Sequence, residues 1–392
     1  MYTVYVDDYL LHDPRLTPQF SGEGRMQTVR TLSAAILTES INAQGAFDFT
    51  VPKINASYDR LRLRHGIVRI FRDGQLRWRG RLMQINKGWD NARVCHAEGA
   101  LAFLQDSTIP PFAYKGSPEA FLDWILTLHN GEMGDSVRRI GVGDVTVVDP
   151  NGVIVRSSET ALSGWELLRT KGFESSLGGY FRYNIGSNTL DWLADFTDGL
   201  GNRIVSNQPV QFGRNLLDLA IEQNAVDVVT CLIPYGARVE ETIPDVSSGT
   251  ASTAAKSTWN GGRLTVESVN DGSLVLRHAA GREIWGDVFG SEIFDEITEA
   301  ANLKTAGLAY LDEQYDRVRI SLAVTAADLS LTDSQMDEIT PGVYVPAVSA
   351  PHSVNELLLC TAKTTNIVNP ASTTITLGVG SKPLSALIGG LK

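Results

Sequence analysis

The residues best able to do chemistry in this chain are few and scattered. Six histidines stand at positions 12, 65, 96, 129, 278 and 352. No two of them have the spacing that sets a pair of zinc ligands on one helix face, as in HExxH, so a metal site would need ligands converging from remote segments. Cys95-His96 puts a thiol beside an imidazole, but adjacent residues on a strand point to opposite faces and cannot pair directly. Cys231 lies in the apolar run 228–233 and Cys360 follows Leu357-Leu358-Leu359. All three cysteines therefore read as core thiols of a protein folded in a reducing compartment. No GxSxG elbow is present, against an α/β-type serine hydrolase.

Gly22-Glu23-Gly24 and Gly199-Leu200-Gly201 are GxG fragments without a third glycine, and they read as turns rather than phosphate loops. The carboxylate pairs Asp7/Asp8, Glu240/Glu241 and Asp312/Glu313 read as solvated strand ends or helix faces; acid–base work would need remote partners. Of the tryptophans, Trp124 and Trp165 fit helical core stripes, and Trp78 and Trp192 fit strand cores. Trp89 and Trp259 stand in turn-like contexts, where an indole could stack on a sugar or a base. The expectation is no catalytic residue, no cofactor-binding residue, no cofactor and no metal.

Charge is distributed unevenly. The net charge is −11, which argues against a dedicated nucleic-acid binder. Yet eight arginines (60, 62, 64, 69, 72, 77, 79, 81) and one acid, Asp73, fall between residues 60 and 82. Such a stripe can bind nucleic acid or meet the acidic face of a neighbouring copy. Arg60, Arg62 and Arg64 alternate with Leu61 and Leu63, the pattern of a strand with one wet face, and Arg77 and Arg79 flank Trp78. The reading is a solvated or subunit-facing sheet surface. No run of about 18 apolar residues suggests a membrane span, and the start of the chain lacks the basic region of a signal peptide.

With 392 residues, two to four domains are expected. The first hundred residues read as antiparallel β, with strands at 2–6, 47–51, 61–65, 67–72, 75–85 and 93–98. Asp73-Gly74 between two apolar runs is a strong hairpin signal. Ser117-Pro118-Glu119 then opens a helix, serine capping and proline at the first position, with Phe121, Leu122, Ile125 and Leu128 inward. A second helix is expected over 160–171, and a hairpin joins 179–185 to 189–192. Strands return at 216–223 and 226–235. A small-residue linker follows at 246–257, then a hairpin of 263–269 with 274–278 around Asn270-Asp271-Gly272. A helix is expected over 298–315, strands at 317–324, 344–348, 357–364 and 373–379, and a fraying tail at 383–392.

Several collinear stretches resemble the phage tail hub family, which includes the N-terminal regions of prophage tail endopeptidases and tail-associated lysins. They include Val68-Arg-Ile-Phe-Arg-Asp-Gly74, Cys95-His-Ala-Glu-Gly-Ala-Leu-Ala-Phe103, Phe121-Leu-Asp-Trp-Ile-Leu126, Phe212-Gly-Arg-Asn-Leu-Leu-Asp218, Leu232-Ile-Pro-Tyr-Gly236, Pro341-Gly-Val-Tyr-Val345 and Asn369-Pro370.

The resemblance implies a β-rich α+β chain with two tail-tube-like antiparallel β-barrels, an α+β module and a small inserted β domain. The domains would be 1–106 (first barrel), 107–206 (α+β accessory module), 207–245 with 316–382 (second barrel), 246–315 (inserted β domain with a return helix) and 383–392 (tail). It implies a homotrimer at the tail tip or baseplate of a virion, assembled in the host cytoplasm. Three copies of two barrels would form a pseudo-sixfold ring between a sixfold tail tube and a threefold tip. The implied partners are the distal tail or tail-tube protein, a fibre, spike or lysin protein, and the tape measure protein. Genome DNA would pass through without specific binding, and no membrane insertion is implied. Lysin or endopeptidase activity would lie in a C-terminal extension, so this chain is expected not to be an enzyme. The alternatives are a cell-wall-degrading tail peptidase or a carbohydrate-binding tail adhesin.

Overall fold

A computed structural model describes residues 1–16, 19–20, 26–149, 152–175, 177–224, 228–238, 262–295, 297–316, 319–331, 335–352 and 354–378. The linker at 246–257, Glu240/Glu241, Trp259, the fragment at 22–24 and the tail at 383–392 lie outside the described residues. The chain divides into two compact units, one holding 1–220 with 323–380 and the other 221–322 with 381–392.

The first unit is built on one large sheet. Alternating apolar residues place Tyr2, Val4 and Val6 on the inner face of the strand Tyr2–Val6, and Val68 and Ile70 on that of its antiparallel partner Ile67–Arg72. The Asp73-Gly74 turn joins Ile67–Arg72 to Gln75–Lys87, with Asp73 at φ 51° and Gly74 at φ 82°. Positive φ at both central residues matches the twist of the flanking strands, and this is why Asp-Gly turns hairpins. Arg93–Gly99, Ala46–Val51 and Ala34–Ser40 continue the sheet, and Tyr9–His12 pairs with Tyr2–Val6 at its other end. Phe47, Phe49, Trp78, Leu37 and Leu11 fill a single core inside this curl.

Among the described residues the curl does not close as a strand ladder. Where Tyr9–His12 and Ala34–Ser40 would have to meet, other bonds bridge the gap. The amide of Asp13 donates to Arg30 O at 2.9 Å, that of Leu32 to His12 Nδ1 at 3.2 Å, and Asn55 Nδ2 to the carbonyls of Leu11 and Thr31 at 2.9 and 3.1 Å.

The two separate barrels expected from the sequence are not seen as separate closed sheets. Val354–Asn366, from the far end of the chain, pairs antiparallel with Ala34–Ser40, from Ala362 opposite Ser40 to Asn366 opposite Ile36. Tyr344–Ser349 pairs with the first half of Val354–Asn366, Thr374–Leu377 with 360–364 on the edge opposite Ala34–Ser40, and Arg319–Ala327 follows Thr374–Leu377. The strands of both chain ends thus lie along one open path among the described residues. The reason is that Val354–Asn366 uses both edges at 362–364, one for Thr374–Leu377 and one for Ala34–Ser40.

Between these strand sets the chain builds a second core. Leu101, Phe121, Leu122, Ile125, Leu167, Leu168, Phe181 and Trp192 pack together. The helix Pro118–Glu132 starts as expected, the Ser117 hydroxyl accepting from Ala120 N at 3.1 Å. Its buried stripe uses Leu126 and His129, while Leu128 is exposed. The helix expected over 160–171 begins only at Gly164, capped by Ser163, and passes at Arg169 into a π-helical turn that ends at Phe173. Tyr180–Asn184 and Thr189–Leu193 form the expected hairpin.

In the second unit, Cys231–Tyr235 runs between Leu276–Arg277, antiparallel, and Phe289–Ile293, parallel. The helix Ala300–Asp316 buries Leu303 and Leu311 against Leu232 and Leu276. Gly307 lets it approach: a Cβ there would lie 2.6 Å from Leu276 Cδ1. The hairpin expected around Asn270-Asp271-Gly272 is not formed. Its turn is present, but Glu267–Val269 is a 3-10 turn, and Leu276 pairs with Leu232 instead.

Candidate functional site: the arginine stripe and a buried charge cluster

The arginines singled out by the sequence do not line one strand face. Residues 61–65 form a loop and turn rather than a strand. Arg64 adopts φ 60°, and Gly66 N donates back to Arg62 O at 2.8 Å, a tight loop closure where a Cβ on Gly66 would come within 2.7 Å of that carbonyl. The alternation of Arg and Leu is therefore a coincidence of a turn. Six of the eight guanidiniums find carboxylates inside the chain. Arg62 pairs with Asp7 at 2.7 Å, Arg64 with Asp106 at 2.7 Å, and Arg69 with Asp8 at 3.0 Å. Arg72 and Arg77 share Glu338, at 2.6 and 3.4 Å. Arg81, only 1% exposed, pairs with Asp106 and, at 3.4 Å, Glu98. Arg60 lies over the Tyr9 ring. The strand reading of 61–65 is thus corrected; six of the eight charges are answered within the chain, while Arg60, Arg62, Arg64 and Arg77 remain exposed.

One group of these charges is buried where the two strand sets join. Lys363 Nζ lies 2.8 Å from both Asp328 Oδ2 and Glu338 Oε1, with the Lys363 and Asp328 side chains each 1% exposed. Gln208 Nε2 and the amide of Ser330 donate to the other oxygen of Asp328. Arg72 thus carries the strand Ile67–Arg72 into the same cluster as Lys363 on Val354–Asn366. Burial works to lower the Lys363 pKa, but the carboxylates of Glu338 and Asp328 outweigh it and hold the ammonium above its ordinary value. Burial likewise works to raise Glu338, and Lys363 and Arg72 outweigh it, keeping this carboxyl below its usual range. Glu39, the register partner of Lys363, makes no such bond; burial pushes its carboxyl up to about 7 despite the nearby cations. This is an electrostatic clasp between two strand sets, with no nucleophile in it.

The other residues marked by the sequence stay apart. Cys95, Cys231 and Cys360 are buried free thiols, and burial pushes Cys95 and Cys360 up to about 12, the opposite of an activated nucleophile. His96 faces away from Cys95 and meets Asp48 at 2.7 Å. His129 bonds Ser107 and the carbonyl of Arg138 inside the second core. No group of three His, Cys, Asp or Glu side chains suited to a metal ion occurs among the described residues. Trp78 and Trp192 are core, and Trp89 is fully exposed. Gly199 and Gly201 belong to a turn closed on the Asp198 carboxylate. No helix of the described residues is long and apolar enough to cross a membrane.

Sequence reasoning missed Glu39, Asp328, Glu338 and Lys363, which lie far apart in the chain. One signal was available: Lys363 shares the inward parity of Thr365 in its strand, and an inward lysine needs a buried anion.

Residues 205–387 match the family model described as prophage endopeptidase tail. The fold is similar to that of the 43 kDa tail protein of prophage MuSo2 from Shewanella oneidensis, at 12% identity and TM-score 0.61, covering 98% of this chain and 99% of that one. It is also similar to a tail protein from Neisseria meningitidis (12%, TM-score 0.59, 97% and 98% covered) and to prophage tail protein gp18 from Listeria monocytogenes (13%, 0.52, 91% of each). No curated protein matches the sequence. The resemblance to phage tail proteins read from the sequence is found again in the family model and in the fold.

Proposed function

We propose that this chain is a structural hub protein at the distal end of a phage or phage-like tail. In this reading three copies form a pseudo-sixfold ring that adapts a sixfold tail tube to a threefold tip or baseplate. The observation that carries it is the junction of two strand sets from opposite ends of the chain, through the Ala34–Ser40 and Val354–Asn366 ladder. A chain that sets two strand groups edge to edge offers a ring of three copies six such groups. Head-to-tail contacts close into a ring when the rotation fits, and they cover the strand edges left open at the ends of the sheet. The net charge of −11 per chain supports a lumen that repels DNA phosphates and lets the genome slide. The neighbours would be the tail-tube or distal tail protein, the tape measure protein, and a fibre, spike or lysin protein.

Sedimentation equilibrium of the purified chain, followed by electron microscopy along the symmetry axis, tests this reading. A trimer with six similar lobes around a channel is expected. A monomer at all concentrations, or a twofold dimer, overturns it. The family model's description favours a second reading, a tail peptidase. The elevated thiol pKa values oppose a cysteine nucleophile at Cys95 or Cys360, and turnover of peptidoglycan by the purified chain would support that reading.

A further inference from the structure

We propose that the buried cluster of Lys363, Asp328 and Glu338 is a self-modifying site, in which Lys363 Nζ and the Asp328 carboxyl condense to an intramolecular isopeptide bond. This chemistry is independent of any role in a tail. Lys363 Nζ touches Asp328 Oδ2 at 2.8 Å, with each side chain 1% exposed, and a second carboxylate oxygen, Glu338 Oε1, lies 2.8 Å from the same nitrogen. Nucleophile, electrophile and proton carrier therefore converge on one atom, out of water.

Different elements hold the three parts. Lys363 lies within Val354–Asn366 with a paired strand on each side, opposite Ile375 on one edge and Glu39 on the other. Asp328 directly follows Arg319–Ala327, and its Oδ1 accepts from Ser330 N at 3.0 Å and from Gln208 Nε2 at 3.3 Å. Gln208 is itself fully buried, and its Oε1 accepts from the amide of Leu329 at 3.2 Å. Arg72 holds the other oxygen of Glu338 at 2.6 Å. The two oxygens of Asp328 are thus differentiated. Oδ1 meets two neutral donors, as in an oxyanion hole, and Oδ2 meets the amine.

As an ion pair the cluster holds no nucleophile. Transfer of one proton from Lys363 Nζ to Asp328 Oδ2, along their contact, gives an amine beside a carboxylic acid. Burial penalises the charged forms, so this neutral pair lies nearer in free energy than it would in water. The amine lone pair then forms the Nζ–Cγ bond, and the carbonyl electron pair moves to Oδ1, where the Ser330 and Gln208 N–H groups stabilise it. Glu338 takes a proton from Nζ and returns it to Oδ2; the Cγ–Oδ2 bond breaks and water leaves. The sum is one ammonium and one carboxylate to one amide and one water, with Glu338 regenerated and no oxidant or activating group consumed. The neighbouring carboxylates keep Lys363 charged at rest, so the bond accumulates slowly in what begins as an ionic clasp. It joins residues 35 apart in the chain and staples the end of Arg319–Ala327 to Val354–Asn366 across the intervening strand Thr374–Leu377.

Intact-mass and tandem mass spectrometry of the full chain, folded and incubated at neutral pH, tests this. The mass should fall by one water, with fragments joining the peptide that contains Asp328 to the one that contains Lys363. Chain held in denaturing urea should keep its mass. Asp328→Asn should lose ammonia instead and reach the same product. Glu338→Gln keeps the shape without a basic oxygen, and should slow the loss at least about a hundredfold while remaining folded by circular dichroism. Lys363→Arg should lose no water. The proposal is overturned by an unchanged mass of the folded wild-type chain after prolonged incubation, by a water loss that persists in Lys363→Arg, or by fragments that place the loss elsewhere, such as a succinimide at Asp73-Gly74. A loss equally fast in folded Glu338→Gln overturns the role given to Glu338. Should Lys363→Arg fail to fold, the wild-type fragments and Asp328→Asn decide.

Discussion

Replacing Glu39 by glutamine should stabilise this protein at alkaline pH and leave it nearly unchanged in mild acid. The folded-state pKa of Glu39 is raised from 4.5 to about 7 because burial disfavours its charged form. A raised carboxyl pKa means that the native state binds the proton more tightly than the unfolded chain. Its contribution is therefore fully present below about pH 4.5 and is lost as pH rises through about 7. At about 1.4 kcal/mol per unit, the loss is at most about 3 kcal/mol, and about 2 after allowing for partial solvent access to a half-buried side chain. Glutamine keeps the shape and never ionises. Urea unfolding of both proteins at pH 5 and pH 8 measures the effect as the pH dependence of their difference, in which other titrating groups cancel. The variant should gain about 2 kcal/mol on the wild type between the two pH values. A variant less stable at pH 8, or a difference independent of pH, would refute the reasoning and show that Glu39 is held as an ion by Lys363.

Removing the Lys363 cation leaves Asp328 and Glu338 facing each other in a buried site, so Lys363→Met should cost about 3–5 kcal/mol in thermal or urea unfolding. Adding Asp328→Asn and Glu338→Gln to that variant should recover much of the loss. Glu338, whose pKa is held below its ordinary value, contributes stability that is present above the unfolded carboxylate pKa and lost as pH falls through the folded one. Glu338→Gln should therefore flatten the acid limb of stability against pH. Arg62 and Arg64 are exposed and already paired, so Arg62→Glu or Arg64→Glu should each cost under about 1 kcal/mol and leave the mass in sedimentation unchanged; dissociation would show that this surface contacts another copy. Cys95 and Cys360 should react with a thiol reagent only as fast as the protein unfolds, and rapid labelling of the native chain would contradict their burial.

What could be read from the sequence follows the range of the forces. Strands with clean alternation, such as 67–72 and 75–85, were legible because one buried face imposes a period of two. The Asp73-Gly74 turn and the Ser117 cap were legible because each needs only neighbouring residues. The failures share the opposite property. Residues 61–65 alternate like a strand, but the loop is set by long-range bonds, Arg64 N to Leu82 O at 2.7 Å and Leu82 N to Gly66 O at 2.9 Å. Ala34–Ser40 went unseen because its central place comes from neighbours 46–51 and 362–366, not from its own composition. The charge clasp was illegible for the same reason: its members are at 72, 328, 338 and 363, and no local pattern ties them.

That clasp bears on how the two strand sets hold together. A ladder of backbone bonds alone specifies pairing weakly, since slipping by one residue keeps most of the hydrogen bonds while turning every side chain to the other face. At the Ala34–Ser40 and Val354–Asn366 ladder such a slip would pull Glu338 away from Arg72 on the other strand set and unbalance the buried charge cluster. The cost of that state, several kcal/mol by the measure of broken buried ion pairs, exceeds what one or two ladder bonds supply. A buried ionic cluster contributes little to stability over an apolar core of the same size, but it penalises the wrong register heavily. If this is its role, the triple variant Lys363→Met, Asp328→Asn, Glu338→Gln should fold with near wild-type stability yet lose the cooperativity of its amide-exchange protection, the protons of 34–40 exchanging faster, through slipped states well below the global unfolding free energy. Uniform protection of those amides in the triple variant would assign the register to the apolar residues Ile36, Leu37 and Ile367 instead.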